Sequence, residues 1–244
     1  MSHFFKRSTK QAVSPKELSS AILHELRTPL SSIKSAVSAL NEFLPQLLEG
    51  YRLAEQHHLP VSEIQPRHLQ SLDSATKNIQ DDLNFMSCYL NMIVMHHADL
   101  AQYLTDLGMH SFKATLAHAM SNYPYRSKGQ QDRLILKNKH DDFLYYGNAM
   151  LIEHVLLNLI NLLCDLIIAN PSIQAEITIN TEELVNTVNF TLINTSNPAI
   201  ANYIDTSSEF AFCQRAMQAL KCAIIYHNSD NNQIQFVLKF PFKE

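Results

Sequence analysis

Residues 23–54, LHELRTPLSSIKSAVSALNEFLPQLLEGYRLA, decide the fold of the first part of the chain. Apolar side chains recur along this stretch at alternating steps of three and four residues. The seam consists of Leu23, Leu26, Leu30, Ile33, Val37, Leu40, Leu44, Leu47, Tyr51 and Ala54. Because the pattern lasts for more than four heptads, it predicts a long helix that packs along one stripe against other helices.

A second seam follows after a break at Pro60 and Pro66, where the chain must leave the helix. Only Thr76 and His97 are polar on this seam, and Gly108 is expected to end its helix. The seam positions are Leu69, Leu72, Thr76, Ile79, Leu83, Met86, Leu90, Ile93, His97, Leu100, Leu104 and Leu107. The two helices predict an antiparallel hairpin. Since one hairpin cannot cover both seams and also the extra apolar positions, we expect a homodimer with a four-helix bundle. These extra positions are Ile22, Ala36, Phe43 and Phe85. The alternative is a monomeric hairpin that folds against its own C-terminal half.

The sequence after the hairpin predicts a small domain, so the fold class is α+β. We divide the chain into a polar N-terminal segment (1–15), the helical hairpin (16–108) and this domain (110–244). Predicted helices are 112–122, 149–169 and 210–221, and residues 125–132 are predicted as a loop. Predicted strands are 133–137, 142–146, 175–181, 184–193, 223–227 and 233–240, with a turn at Glu182–Glu183. We expect an antiparallel sheet with helices on one face.

Composition and charge limit the possible partners. The chain has 244 residues, of which 46% are hydrophobic, and its net charge of −4 gives no basic excess for nucleic acid. Its four cysteines form no CxxC pair and each lies in an apolar run, which is typical of buried free thiols in a reducing compartment. Only four glycines are present, and none follows Gly147, which disfavours any later glycine-rich phosphate loop.

Residues 149–169 are apolar enough to suggest a membrane helix. However, His154, Asn158, Asn161 and Asp165 follow one another at steps of four, three and four residues, which places them on one helical face. This spacing predicts a buried amphipathic helix instead of a membrane span. The first fifteen residues are polar and do not read as a signal peptide. We therefore expect a cytoplasmic protein without membrane contact.

The string His24-Glu25-Leu26-Arg27-Thr28-Pro29-Leu30 carries the chemistry of the first helix. An imidazole is a nucleophile near neutral pH, and the adjacent Glu25 can orient the ring of His24 and take its proton. Thr28 lies four residues after His24, so it shares the same helix face and can position a water. Pro29 removes a backbone hydrogen bond and crowds the carbonyl of Glu25, which predicts a kink just below the histidine.

This seven-residue string resembles the phospho-acceptor box of bacterial two-component sensor histidine kinases, Arg27 included. The stretches 47–54, 59–60 and 66–69 resemble the long hairpin of quorum-sensing hybrid kinases. The resemblance implies that His24 carries a phosphoryl group, that Glu25 acts as its base, and that Thr28 supports dephosphorylation of a response regulator. It implies that residues 110–244 have the ATP-binding fold of that family.

The nucleotide-site motifs of the family are degraded in this chain. The family's Asn-Leu-x-x-Asn-Ala helix reads Asn158-Leu159-Ile160-Asn161-Leu162-Leu163 here. Asn158 fits the first asparagine, but Leu162 stands at the position that holds magnesium. Asn161 comes one residue early, about 100° around the helix. A rotation of the helix about its own axis could bring Asn161 to the position of the missing ligand.

The two glycine boxes of the family are also lost. The counterpart of Asp-x-Gly-x-Gly is residues 193–200, where Asn194 is a remnant and neither Asp nor Gly occurs. The counterpart of Gly-x-Gly-Leu-Ala is Ser207–Phe212, in which Glu209 would place a carboxylate against the phosphates. We therefore expect no bound cofactor and no metal, and a domain that keeps the fold without the nucleotide.

Other candidate groups point to structural roles. The histidine pairs 57–58 and 96–97 lack the spacing of a zinc site, so we expect solvated or seam histidines. His97 in particular could be a buried polar residue that fixes the helix register. His154 and Asp165 are interpreted as surviving polar positions of the former pocket.

These observations together predict a phosphorelay protein similar in design to kinase-derived histidine phosphotransferases. His24 would exchange a phosphoryl group with the aspartate of a response-regulator receiver domain, and that receiver would supply the Mg²⁺. A sensor histidine kinase is a second candidate partner. Two alternatives stay open: an active sensor kinase that is phosphorylated in cis or in trans, and a non-catalytic protein that sequesters a response regulator.

Overall fold

The computed structural model describes residues 15–137, 141–181, 185–195, 199–229 and 232–241; the side chains of residues 15–24, 73, 199 and 229 are outside this description. The predicted turn at Glu182–Glu183 and nearly all of the segment 1–15 also lie outside the described residues. Contacts divide the chain into two units, Met1–Gln80 and Asp81–Glu244. The division falls inside the second long helix.

The first unit contains helix α1 (Pro15–Gln56) and the first half of helix α2 (Pro66–His97). Tyr51 fixes the connecting loop, because its hydroxyl donates to the Ser62 carbonyl over 3.0 Å and accepts from the Ile64 N–H over 2.7 Å. Further along, Ser38 Oγ of α1 lies 3.5 Å from Gln80 Oε1 of α2. The two helices therefore fold back on each other as an antiparallel hairpin, as the two seams predict.

Burial alternates along the seams of this first unit. The seam residues Val37 and Leu69 are buried, and so is Leu48, which follows the predicted seam position Leu47. The other half of each seam is between 44% and 69% exposed, and it consists of Leu26, Ile33, Leu40, Leu47, Leu72 and Ile79. Each exposed side chain follows the previous one on its helix by seven residues. The hairpin thus leaves an apolar stripe on each helix uncovered.

Helix α2 ends earlier than predicted. The second seam was extended to Leu107, but α2 stops at His97, and a 3-10 turn follows over Leu100–Leu104. The side chain of Asp99 caps this turn by accepting the Ala101 N–H over 3.1 Å. Gly108 does not end a helix, since it begins a strand. The heptad pattern cannot separate an α-helix from a following turn that keeps leucines at similar intervals.

The second unit joins the end of α2 to a small sheet domain. Its strands are β1 (Gly108–Ser111), β2 (Leu134–Leu136), β3 (Leu144–Gly147), β4 (Gln174–Asn180), β5 (Val185–Ile193), β6 (Ala223–Ser229) and β7 (Gln233–Pro241). Its further helices are α3 (Phe112–Asn122), α4 (Lys128–Asp132), α5 (Ala149–Ala169), α6 (Ala199–Thr206) and α7 (Ser208–Ala219). β1 and β3 form an antiparallel ribbon, and the other strands form a sheet in the order β2-β4-β5-β7-β6. The predicted α+β class is confirmed.

The sheet is mixed, which corrects the prediction of an antiparallel sheet. β2 pairs with β4 in parallel, from Leu134 opposite Ala175 to Leu136 opposite Ile177. The other neighbouring strands in this sheet are antiparallel. The long connection from β2 to β4 contains α5, and a crossover of this length is what a parallel pair requires.

Three short elements were missing from the sequence prediction. The predicted loop 125–132 contains α4, whose N-terminus is capped by Ser127 Oγ accepting the Gln130 N–H over 3.2 Å. Strand β1 and helix α6 were also not predicted. Each has only four to eight residues, and such lengths carry too little periodicity to be recognised.

Helix α5 is the centre of the domain. Fourteen of its residues are buried, and it packs against α3, α7 and the inner face of the sheet. Among the described residues, α5 is also the one helix long and apolar enough to cross a membrane, and 78% of that apolar stretch is buried inside the protein. The predicted buried helix is therefore confirmed.

An aromatic cluster closes the other end of this core. The ring of Phe112 stacks on Phe143 at 5.1 Å and meets Phe240 edge-on at 5.3 Å. Tyr145 contributes a ring 6.2 Å from Phe112. The cluster thus joins α3, β3 and β7 at residues separated widely in sequence.

We expect Phe112→Ala to lower the free energy of unfolding by about 3–5 kcal/mol, because it leaves a cavity among three other rings. Phe112→Leu retains most of the apolar volume and should cost about 1.5 kcal/mol. Urea denaturation followed by far-ultraviolet circular dichroism measures both. Similar small losses for the two variants would show that the cluster does not support the core.

Candidate functional site

The predicted acceptor string lies on α1, which is helical without interruption from Pro15 to Gln56. Glu25, Arg27, Thr28 and Pro29 are all exposed. His24 belongs to the same helix, but its side chain lies outside the described residues. Because positions four apart share a helix face, His24 and Thr28 occupy one face of α1. The string therefore lies on an exposed part of the helix that a partner can reach.

Pro29 lies inside this helix, as does Pro45. Proline has no N–H, so the carbonyl of Glu25 lacks its usual partner four residues later. The helix nevertheless continues through both prolines. The kink predicted below His24 stays a prediction.

The first predicted remnant of a nucleotide site, Asn158, is fully buried on α5 and bonded through both its oxygen and its nitrogen. Its Oδ1 lies 2.6 Å from Nε2 of His96, and its Nδ2 donates to the His154 carbonyl over 2.8 Å. Since an amide oxygen only accepts, Nε2 of His96 carries the proton in this contact. The amide of Asn158 is therefore satisfied by the protein itself.

The second remnant, Asn161, is also turned inward. Its Oδ1 accepts the hydroxyl of Tyr123 over 3.0 Å, and its Nδ2 lies 3.5 Å from Glu209 Oε1. Leu162, at the position where the family motif has its metal ligand, is completely buried in the core. Asn161 thus serves as a buried structural amide.

The last turn of α2 covers Asn158. The ring of His96 stacks on Phe212 of α7 with centroids 5.1 Å apart. The carbonyl of His96 accepts from Arg215 Nη2 over 2.9 Å. Three contacts, one each to Asn158, Phe212 and Arg215, therefore hold this turn against α5 and α7 within the second unit.

His96, Phe212 and Arg215 were not predicted as a group, because they share no motif. The heptad pattern predicts His97 as a buried seam residue that fixes the helix register. That interpretation is wrong: His97 is exposed, and its neighbour His96 makes the internal contacts. Near the end of α2 the buried residues are Met92 and Met95, whereas the predicted seam positions Leu90 and Ile93 are half-buried, so the inward face differs from the predicted seam.

The N-terminus of α7 lies where the resemblance places the second glycine box of the family. Ser207 caps the helix by accepting the Phe210 N–H over 3.1 Å. Glu209 lies in the first turn, with Ser208 Oγ donating to its Oε2 over 3.2 Å, and Phe210 is buried. A helix N-terminus attracts anions. Here the Ser207 hydroxyl already accepts one N–H, and Glu209 adds a negative charge to the first turn.

Asn194, the third predicted remnant, lies in a turn. Its φ of 68° is in the left-handed region, which asparagine tolerates better than most residues. Its Nδ2 donates to the Ser172 carbonyl over 3.1 Å. Residues 196–198, which belong to the same degenerate box, lie outside the described residues. Asn194 therefore has a structural partner.

Burial shifts the pKa values of two side chains on this face of α5, Asp165 and His154, and that of His96 on α2. Burial raises the pKa of Asp165, whose Oδ2 accepts the Tyr203 hydroxyl over 3.3 Å. Burial lowers the pKa of His154 and of His96. Within the described part of the chain, no group of three His, Cys, Asp or Glu side chains is arranged to hold a metal ion.

No family model matches the chain. In sequence it is similar to CqsS of Vibrio cholerae, a CAI-1 autoinducer sensor kinase/phosphatase, with 24% identity over 145 residues. The match covers 59% of this chain and 20% of CqsS, so the chain spans about a fifth of that relative.

The solved structures similar to this chain include two histidine kinases. AdeS of Acinetobacter baumannii has 15% identity and a TM-score of 0.43, covering 83% of this chain and 97% of AdeS. ThkA in complex with the response regulator TrrA has 11% identity and a TM-score of 0.47, covering 96% of this chain and 68% of that one. The chain resembles sensor histidine kinases.

The lowered pKa of His96 predicts a pH-dependent stability. The unfolded chain takes up a proton on this histidine near pH 6.5, while the folded protein does so only at lower pH. Stability should therefore fall as the pH drops below about 6.5 and stop falling below the folded pKa. His96→Gln keeps an N–H for Asn158 but cannot titrate, so its loss of stability between pH 7 and 5 should be smaller.

The free energy of unfolding, measured at several pH values, tests this effect. Its slope with pH should differ between wild type and His96→Gln by at most about 1.4 kcal/mol per pH unit. His57→Gln, at an exposed histidine, is the control and should leave the pH dependence unchanged. Identical pH profiles for wild type and His96→Gln would contradict a half-buried, neutral His96.

Proposed function

We propose that this chain is a two-component phosphorelay protein that does not use ATP. His24 accepts a phosphoryl group from, and donates it to, the aspartate of a response-regulator receiver domain. One contrast carries the proposal: the acceptor string is complete on an exposed helix, whereas the counterparts of the nucleotide-binding residues are engaged internally. The complex of the similar kinase ThkA with a response regulator supports this class of partner.

The reacting groups of the proposed transfer are His24 and Glu25 of α1 and the aspartate of the receiver, so no residue of the second unit takes part in the bond changes. An imidazole nitrogen of His24 attacks the phosphorus of the aspartyl phosphate, a P–N bond forms, and the P–O bond to the aspartate breaks. The aspartate leaves as a carboxylate, and Glu25 takes the proton from the imidazole. The Mg²⁺ that offsets the phosphoryl charge belongs to the receiver. Catalysis of this kind depends mainly on positioning and electrostatics.

ATP binding is disfavoured by three independent features. Leu162 supplies no oxygen for a metal, and it is buried. The amide of Asn158 is occupied by His96. Glu209 places a negative charge at the helix N-terminus where phosphates would bind. An ATP molecule would have to displace the last turn of α2 and overcome like-charge repulsion.

We also propose that the chain is a homodimer. The exposed half-seam of the hairpin, Leu26, Ile33, Leu40 and Leu47 on α1, is an apolar stripe of the kind that monomeric proteins seldom expose. A second copy presents the same stripe, so a twofold axis covers both. All four cysteines are free, which supports the cytoplasmic location that the proposal requires.

Transfer from a receiver tests the proposed reaction. We expect label from a phosphorylated receiver domain to reach the wild-type chain, and no label to arrive from ATP with Mg²⁺ alone. His24→Gln should abolish labelling, whereas His68→Gln, at an exposed histidine of α2, should not. Thr28→Ala should leave labelling intact and slow the release of phosphate from the receiver.

The alternatives give other results in the same experiment. Label from ATP alone would refute the ATP-independent proposal and indicate an active kinase. Receivers that bind but never transfer label would indicate a sequestering protein. Label that survives in His24→Gln would exclude His24 as the acceptor.

The dimer is tested with charges on the exposed stripe. Ile33→Glu combined with Leu40→Glu should raise the dimer dissociation constant by about 100-fold or more, because carboxylates would be buried at the interface. Size-exclusion chromatography with light scattering measures this. Ser35→Glu combined with Ala39→Glu adds the same charge at exposed positions outside the seam and should leave the dimer intact. A wild-type chain that is monomeric at high concentration would favour the monomeric hairpin.

A further inference from the structure

A cavity of about 300 Å³ lies in the second unit, away from the counterparts of the nucleotide-binding residues. It is bounded by the segment that follows α2, the end of α7, and strands β3 and β7. Most of its wall is apolar, and the main contributors are Leu104, Leu107, Leu220, Phe240, Tyr145 and Cys222. Small-molecule sites in proteins are concave and mostly apolar in this way.

Two polar side chains of the wall, those of Cys222 and Tyr145, are neutral at physiological pH. Burial raises the pKa of the Cys222 thiol to about 11 and that of the Tyr145 hydroxyl to about 12. The Tyr145 hydroxyl already has a partner, because it lies 3.1 Å from Thr115 Oγ1. The interior of the cavity therefore offers a place for an apolar group and no charge to oppose one.

Lys221 is the one charged residue among the described residues that line the cavity. It is exposed, so it stands where the cavity meets solvent. Its φ of 58° is left-handed, at the position just after α7 where a glycine is usual. The cap is complete, with the Lys221 N–H donating to Gln218 and the Cys222 N–H to Met217. A lysine thus occupies a strained position that glycine would fill with less strain.

We propose that this cavity binds an anionic amphiphile, such as a medium-chain fatty carboxylate, with the chain between the leucines and Phe240 and the carboxylate at Lys221. The apolar wall matches the hydrocarbon chain, and the single cation at the rim matches the head group. The proposal does not depend on phosphotransfer. Leu104 and Leu107 belong to the segment that joins α2 to β1. The hydrocarbon part of the bound ligand therefore contacts and orders that segment.

Binding of decanoate to the full-length chain tests this proposal. Calorimetric titration below the micelle concentration should show saturable binding of decanoate, with decanol and decylamine weaker by about three- to tenfold. Hydrogen exchange should show that decanoate protects residues 100–107. Equal binding of the three compounds, no binding of decanoate, or protection elsewhere only would overturn the proposal.

A variant and its control test the role of the head group. Lys221→Gly removes the charge and the backbone strain, so it should melt at the same or a higher temperature while losing the preference for decanoate over decanol. Lys239→Gln, at a lysine of β7 outside the cavity wall, is the charge control and should bind as wild type does.

Gly147→Leu should fill the cavity and abolish binding of all three compounds. An added Cβ at Gly147 lies 3.4 Å from the Tyr145 ring and 3.7 Å from Leu220 Cδ2, which is ordinary contact. If this variant fails to fold, Ala219→Leu fills the same cavity from the end of α7. Unchanged decanoate affinity in a folded filling variant, or an unchanged preference in Lys221→Gly, would refute the assigned site.

Discussion

The second unit depends on the need to satisfy two buried amides of one apolar helix. Helix α5 is buried around most of its circumference, so Asn158 and Asn161 cannot turn to solvent. An unsatisfied buried amide costs about 1–3 kcal/mol, and each asparagine therefore needs a partner from another element. His96 supplies it for Asn158 and Tyr123 for Asn161. These contacts fix the end of α2 and the chain after α3 against α5.

The same constraint bears on the proposed absence of nucleotide binding. An asparagine that must coordinate a metal or a bound nucleotide has to keep its amide open to a cavity. Here both amides face protein groups, and Leu162 adds an apolar side chain where a metal ligand would be needed. Glu209 lies 3.5 Å from Asn161, so the negative charge at the start of α7 belongs to the same packed arrangement. Restoring a ligand at position 162 alone would leave the other groups in place.

Strong periodicity made much of the fold predictable. The heptads of α1, the apolar run of α5 and the alternating strands β4, β5 and β7 follow from the sequence, because each repeats one pattern over many residues. Glu25, Arg27 and Thr28 of the acceptor string are exposed on α1, while their roles follow only from the resemblance. The contact between His96 and Asn158 joins residues 62 positions apart and is carried by no motif. The parallel pairing of β2 was missed for a related reason, since a three-residue strand does not specify its partner.

The scarcity of glycine explains where the sequence departs most from the family it resembles. With no glycine after Gly147, every left-handed residue in the described part of the domain carries a side chain, and these are Asn194, Lys221 and Asn232. Asparagine accepts this conformation because its short amide can bond locally, as Asn194 does with Ser172. Lysine has no such compensation. The backbone strain at Lys221 is consistent with the proposed ligand site. A lysine there provides a positive charge beside the apolar cavity, which a glycine would not.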